Sequence, residues 1–329
     1  MEREIKTRAV MFAKNSLVLV KWLVGFGIVC YLLTILDFSK FKGAILGADL
    51  RYLPAGAAFV LAARILYAWQ TAIAVREHGI PLTTKRALVI NTISGFYNLF
   101  LPGDLSAGVV KWYKLSKPAG RKAEVLAAIL FVKILNTSFF LAFGIIGFLI
   151  DSPLNSVFLF CTLLSLFFGL AIISIGFFSQ RIAVWQETIF KCCPPWIPSS
   201  ILDGLRRALF SLAKYRTMSW NKFFRLLSVP FINLVLITIL LFLVARSLNF
   251  WIPIHALIWI WSMVYIIHIT PATISGLGLR EGVLVYLLPY YGVDPASAMA
   301  FSLIIFSFTV LAALIGGMLE AKEVLLSPR

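Results

Sequence analysis

Two polar stretches that contain proline and glycine interrupt the apolar segments of this chain, and both carry ionisable residues. They are Asn98–Asp104 and Thr270–Glu281. Backbone broken by proline or glycine at membrane depth is tolerated only where protein buries it or where it lines a wet cavity. Ionisable side chains at that depth mark binding or transport paths, and a pair of interrupted segments points to a substrate site. The sequence therefore predicts that the two breaks meet near the middle of a membrane and form one cavity for a charged headgroup.

The second break combines two features that bind anions. Ser275, Gly276 and Gly278 free the backbone to expose N–H groups ahead of a helical run, and such a helix start attracts anions. Arg280 adds a guanidinium suited to phosphate. The alternative is a helix start whose glycines allow close packing and whose charges are paired inside the bundle. Because residues i and i+1 do not face each other on a helix, we expect Arg280 and Glu281 to have separate partners.

The first break supplies similar elements. Asn98 and Asp104 flank its proline and glycine, and Lys111 follows on the next segment. If that segment is helical, Asp104 and Gly108 share a face, with Lys111 one turn further on. Asp104 is thus a candidate for substrate binding, and helix capping is an equally good role for it.

Two further basic residues lie inside predicted spans. Arg64 is near the middle of the second span, and Lys133 is in the third, followed by Asn136 at helical spacing. Each cation either contacts substrate or donates to a backbone carbonyl of a neighbouring helix. Arg64, Lys133 and Arg280 outnumber the nearby acids, so a cavity lined by them favours an anionic headgroup.

The composition is that of an integral membrane protein. Of the 329 residues, 60% are hydrophobic and 13% charged, and the mean hydropathy is +0.93, whereas soluble domains are roughly 45–50% apolar. We therefore predict an all-α, polytopic fold over residues 1–329, a single transmembrane domain. A template of about 20 apolar residues finds spans at 16–36, 52–75, 125–150, 154–178, 227–249, 252–270 and 295–319.

Basic residues assign the sides of these spans. The formal net charge is +16, and the basic residues lie mainly between apolar segments. That placement indicates cytoplasmic loops facing anionic lipid headgroups rather than a nucleic-acid surface. The protein is expected in the cell (cytoplasmic) membrane with its N-terminus inside. Since both flanks of Ala87–Gly108 are basic, this stretch should be a re-entrant hairpin. Residues 271–294 form either a second hairpin, with the C-terminus outside, or a short crossing, with the C-terminus inside, which gives seven or eight spans.

The long basic segment 179–226 is predicted to be cytoplasmic. Leucines recur within it at helical spacing, and the basic residues lie off that stripe. This pattern is typical of an amphipathic helix lying on anionic headgroups, and equally of a linker helix packed on the bundle. The four cysteines and three histidines form no disulfide framework or metal-ligand spacing, so we expect neither a metal nor another cofactor.

Four motifs, in order, resemble the transmembrane family of lysylphosphatidylglycerol synthases, also called flippase-like proteins. They are Leu101–Gly103, Val109–Tyr113, Ala127–Asn136 and Ser275–Gly282. The resemblance covers nearly the whole chain, and the last motif is the most specific. Many members carry acids where this chain has Gly108, Val132 and Asn136.

The resemblance implies movement of an anionic or aminoacylated phospholipid, or of a polyprenyl-linked lipid, between leaflets. Aminoacylating members carry a soluble transferase domain after the membrane part, and this sequence stops at Arg329, so we expect a transporter rather than an enzyme. The alternative is a membrane enzyme, or an accessory subunit, that acts on polyprenyl-phosphate-linked glycolipids. A separately encoded synthase or glycosyltransferase is a candidate partner.

The hairpin assignment predicts the sidedness of two positions. In a variant without native cysteines, Lys85→Cys and Lys117→Cys should both react with a membrane-impermeant maleimide only from the cytoplasmic side, because basic residues flank the hairpin at both ends. Labelling from opposite sides would make Ala87–Gly108 a spanning segment.

Overall fold

The protein is helical throughout the part of the chain that its computed structural model describes. The described residues are 34, 37–100, 104–150, 164–165, 167–168, 199–269, 276 and 278–326. The α-helices are α1 (Phe38–Leu46), α2 (Tyr52–Glu77), α3 (Thr84–Phe100), α4 (Asp104–Ala119), α5 (Lys122–Ile150), α6 (Ser199–Leu212), α7 (Trp220–Ser247), α8 (Ile254–Ile269), α9 (Leu279–Leu287) and α10 (Pro295–Leu326). Two 3-10 helices, Ala213–Thr217 and Leu288–Tyr291, precede α7 and α10.

Four of these helices, α2, α5, α7 and α10, are long and apolar enough to cross a membrane. They match four of the predicted spans, so the prediction of an all-α polytopic membrane protein is confirmed. The predicted spans 16–36 and 154–178 lie almost entirely outside the described residues. Helix α8, Ile254–Ile269, is a shorter apolar helix that lies within the span predicted at 252–270.

Helices α2 and α7 form an antiparallel pair. Lys222 pairs with Glu77 at one end, and at the other the Asp49 N–H donates to the Ser247 carbonyl at 2.7 Å. Pro230 lies inside α7. Because proline has no N–H, the carbonyl four residues earlier has no helical donor.

The carbonyl freed by Pro230 is that of Leu226, and it accepts a hydrogen bond from Gln70 Nε2 of α2 at 3.0 Å. Gln70 Oε1 in turn accepts from Asn136 Nδ2 of α5 at 2.9 Å, and the same amide donates to Val132 O at 2.7 Å. All three helices are thereby joined by buried hydrogen bonds.

Helices α5 and α8 pack closely because small residues face bulky ones. Gly147 lies against Trp259, Gly144 against Ser262, and the Phe140 and Tyr265 rings stack with centroids 4.4 Å apart. The order of these contacts shows that α8 runs antiparallel to α5.

Helices α3 and α4 form the first hairpin. Arg86 near the start of α3 and Lys114 near the end of α4 both pair with Glu323 of α10, and Lys114 also lies 2.5 Å from Glu320. Both open ends of the hairpin therefore lie at the C-terminal end of α10. The turn, residues 101–103, lies outside the described residues. This geometry agrees with the predicted re-entrant hairpin.

Helices α8 and α9 form a second hairpin at the opposite end. Trp259 Nε1 donates to the Tyr291 hydroxyl at 3.0 Å, just before Asp294 caps α10 by accepting from the Ala296 and Ser297 N–H groups at 3.0 and 3.1 Å. The sequence offered either a hairpin at 271–294 with the C-terminus outside or a crossing with it inside. The structure pairs α9 with α8. The ion pair between Arg86 and Glu323 places the end of α10, with Lys322, at the same end of the bundle as Arg86, as in the alternative with the C-terminus inside.

The leucine stripe of α6 packs on the bundle. Leu212 is buried and Leu209 lies against the same core, which also contains Tyr215 and Leu226. This supports the linker-helix alternative for the stripe, while Phe210 projects outward with 80% of its surface exposed.

The α3–α10 contact generates a prediction about stability. A methyl group added at Gly316 would overlap the backbone carbonyl of Thr92, so Gly316→Ala should separate the helices and cost about 1–3 kcal/mol. We expect a lower thermal midpoint in detergent, measured by size-exclusion chromatography after heating.

Gly108→Ala is the matched control, because nothing lies within 4 Å of its added methyl. This variant should be as stable as the parent or slightly more so, since alanine is the better helix former. Equal midpoints for both variants would show that α3 and α10 separate without cost.

Candidate functional site

The start of α9 is a closed polar cluster. Gly276 and Gly278 have φ values of +71° and +85°, which glycine adopts without strain. The Gly278 N–H donates to Glu281 Oε2 at 2.7 Å, and the Gly276 carbonyl accepts from the Arg280 N–H at 3.0 Å. One of the N–H groups at this helix start is therefore bound by the chain's own carboxylate. Ser275 lies outside the described residues.

Arg280 and Glu281 form a buried ion pair with each other. Both are only 2% exposed, Arg280 Nη2 pairs with Glu281 Oε1, and Arg280 Nε donates to Ser302 Oγ at 3.0 Å. Ser302 Oγ donates to Glu281 Oε1 at 3.2 Å, and the guanidinium lies 4.7 Å from the ring centroid of Phe306.

The expectation that these two neighbours need separate partners is wrong. Glu281 turns back to cap Gly278, which brings its carboxylate towards the first turn, where the long Arg280 side chain reaches it. The sequence does not distinguish Ser302, one of three serines in α10, as the partner of Arg280. A role of Arg280 and Glu281 in substrate binding remains a prediction.

Lys111 of α4 is buried against α2. Its ammonium donates to Thr71 Oγ1 at 3.1 Å and to the Tyr67 hydroxyl at 3.5 Å, and it lies 4.5 Å from the Tyr67 ring centroid. These contacts attach the first hairpin to α2. Asp104 begins α4, but its side chain lies outside the described part of the structure.

Two predicted site residues lie on α5. Asn136 takes part in the hydrogen bonds that join α2, α5 and α7, a structural position that its spacing from Lys133 does not reveal. Lys133 is half-buried. The structure thus places Asn136 in the framework of the bundle.

Arg64 lies halfway along α2, twelve residues from Tyr52 and thirteen from Glu77. Its guanidinium points at α3, where a methyl added to Gly95 would lie 3.8 Å from Nη1. Within the described part of the chain, Arg64 makes no hydrogen bond or ion pair, which distinguishes it from Lys111 and Arg280.

Polar side chains flank Gly95 on the same face of α3. Asn91 is four residues before it and Asn98 three after it, a spacing that places all three on one face. Both amide atoms of Asn91 and Oδ1 of Asn98 are buried without a hydrogen-bond partner among the described residues. Asn98 was predicted as a site residue. Asn91 was missed, although its seven-residue spacing from Asn98 across Gly95 is a signal of a polar face.

The two hairpins pack on one face of α10. Ser302 contacts the start of α9, and Gly316 contacts α3. The fourteen residues between them are close to four helical turns, about 21 Å, so both contacts lie on the same stripe. From Thr92, opposite Gly316, α3 continues for eight residues towards the level of the Arg280 cluster. The described tips of the hairpins therefore approach each other along α10.

The buried ion pair generates a prediction about folding. Arg280→Gln and Glu281→Gln should each lower the thermal midpoint in detergent, because removing one partner leaves a buried charge and costs about 3–5 kcal/mol. The double variant Arg280→Met/Glu281→Gln removes both charges and should recover part of the loss. Single variants as stable as the parent would contradict a closed pair.

Comparison with known proteins agrees with this architecture. The family model described as the lysylphosphatidylglycerol synthase TM region matches residues 18–317. No curated protein and no solved structure matches the chain significantly. The matched region includes the described parts of both hairpins, together with the Arg280–Glu281 pair and Arg64. The chain therefore belongs to the family of the lysylphosphatidylglycerol synthase TM region.

Proposed function

We propose that this chain moves a lipid between the leaflets of the cell membrane, with its N-terminus in the cytoplasm. The lipid classes we infer are an anionic or aminoacylated phospholipid, or a polyprenyl-linked lipid. The observation that carries the proposal is the packing of two hairpins, entering from opposite ends of α10, on one face of that helix. This arrangement suits a path between leaflets, because the hairpins enter from opposite ends of the bundle and interrupted segments near the midplane are where transporters bind their substrates.

The polar groups at this depth support a headgroup path. Asn91, Asn98 and Arg64 lie near the first hairpin, where an unsatisfied polar group in a dry bilayer would cost several kcal/mol. A polar headgroup passing between the helices satisfies them, and the lipid tails stay in the surrounding hydrocarbon. Exposed apolar residues cover the outer surface of the bundle, for example Leu311, Leu314 and Ile315 of α10.

The alternative of a membrane enzyme acting on polyprenyl-phosphate-linked glycolipids has less support. It would use Asp104 and Glu281 as acid/base residues. Glu281 already accepts hydrogen bonds on both carboxylate oxygens, and the side chain of Asp104 lies outside the described part of the structure. The described residues also contain no group of three potential metal ligands. We therefore favour a transporter, with a separately encoded synthase or glycosyltransferase as a candidate partner.

Lipid redistribution in liposomes tests this proposal. The purified chain is reconstituted into phosphatidylcholine vesicles that contain a trace of fluorescent phosphatidylglycerol or phosphatidylethanolamine, and dithionite is added outside. Dithionite bleaches only the outer leaflet unless the lipid crosses, so the protein should make the inner-leaflet label accessible. Because the predicted cavity is net positive, phosphatidylglycerol should cross faster than phosphatidylethanolamine.

Protein-free vesicles and vesicles with an unrelated helical membrane protein are the controls. An inner leaflet that stays protected with both labelled lipids would contradict movement of these phospholipids. Crossing at equal rates would contradict the preference for anionic headgroups.

A further inference from the structure

We propose that Arg64, Asn91 and Asn98 form a binding site for the phosphate group of a lipid, with Gly95 providing the space for it. This inference rests on the proposed function, because it assigns the headgroup phosphate to one place on the path between leaflets. We call these four residues the Arg64 site.

The position of Arg64 requires a counter-charge. It lies about 18 Å from the nearer end of α2, too far for its head group to reach the aqueous edge, and a cation at this depth is costly unless something pairs with it. The sequence of α2 before Glu77 and the whole of α3 contain no Asp or Glu. The two helices that face the guanidinium therefore supply no carboxylate, and an anionic ligand fills that role.

The amides define what kind of anion fits. Asn91 presents both an amide nitrogen and an amide oxygen without partners, and Asn98 presents an unpartnered oxygen, all buried on the α3 face towards which Arg64 points. Buried amides that make no hydrogen bond are rare in proteins. A phosphate accepts from the guanidinium and from Asn91 Nδ2, and a hydroxyl or amine on the same headgroup donates to the amide oxygens.

Gly95 leaves room beside the guanidinium. A methyl at this position would make an ordinary contact with Arg64 Nη1 at 3.8 Å. Because glycine has no side chain, the guanidinium lies next to the α3 backbone at this position. Any larger side chain fills the space in which the phosphate lies.

The other buried cations of the predicted site are already held. Arg280 is bound by Glu281 and Ser302, and Lys111 by Thr71 and Tyr67. Arg64 is half-buried, and of these three basic residues it is the one whose charge is directed at amides without partners among the described residues. The geometry therefore points to the Arg64 site for the phosphate.

Titration of the full chain in phosphate-free dodecyl maltoside tests the inference. Isothermal titration calorimetry compares short-chain phosphatidylglycerol, a diacylglycerol of equal chain length, and inorganic phosphate. We expect phosphatidylglycerol to bind at least about tenfold more tightly than diacylglycerol, since each charge-assisted hydrogen bond contributes roughly a factor of ten. Arg64→Gln should weaken phosphatidylglycerol binding by a similar factor, and Asn91→Leu by less.

Arg64→Lys keeps the charge but loses the forked geometry, so its affinity should lie between those of the parent and Arg64→Gln. The matched control is Arg246→Gln, which removes an exposed arginine at the end of α7 and should leave the affinity unchanged. If Arg64→Gln does not fold, Asn91→Leu and Gly95→Leu, each of which should weaken phosphatidylglycerol binding, decide the question.

Phosphatidylglycerol binding unchanged in the Arg64, Asn91 and Gly95 variants overturns the inference. Inorganic phosphate binding as tightly as phosphatidylglycerol overturns the assignment to a lipid. The liposome experiment separates this result from the proposed function. If Arg64→Gln moves lipid across the liposome bilayer as fast as the parent, the Arg64 site is refuted but the transport function is not. If the protein binds phosphatidylglycerol more tightly than diacylglycerol but moves no lipid, the transport function is refuted but the Arg64 site is not.

Discussion

The hydrocarbon core of a membrane contains no water, so a polar group placed there must find its partner within the protein. Inside α7, Pro230 creates such a polar group, because the Leu226 carbonyl loses its helical hydrogen-bond donor. Gln70 donates a hydrogen bond to this carbonyl, and Asn136 donates one to Gln70. One missing N–H thereby ties three spanning helices into a framework. Both hairpins attach to that framework, the first through α2 and the second through α5.

Three basic residues in the described part of the chain have contrasting surroundings. Lys114 lies at one end of α10 between two carboxylates, where partial exposure makes the pairing worth little in free energy. Arg280 is fully enclosed with Glu281, and a buried ion pair is weak evidence for stability because both charges lose their water. The benefit of that pair is positional, since it fixes the start of α9 on Ser302. Arg64 forms no ion pair with a described carboxylate, as expected of a side chain that binds an anionic ligand.

Sequence reasoning succeeded where the information is local. Length and hydropathy located the long spans, and basic residues at both flanks of Ala87–Gly108 predicted a hairpin whose open ends the structure places together. It failed where a side chain forms a hydrogen bond with a residue on another helix. The contact between Ser302 and Arg280 joins residues 22 positions apart, and nothing in an apolar helix marks one serine for that role.

Helix α10 is the surface on which both hairpins rest, and among the described helices it is also the last to leave the ribosome. Thr92 and Arg280 therefore leave the ribosome before Gly316 and Ser302, the α10 residues on which they pack. Until α10 arrives, each hairpin has an uncovered side that lipid or an insertion factor must occupy. Domains generally fold in the order of synthesis. In this chain, however, the two hairpins become fully buried only after α10, which is synthesised later, packs against them. Among the described helices, α10 is the last to join, and a ribosome that stalls before Pro295 leaves both hairpins without the helix on which they pack.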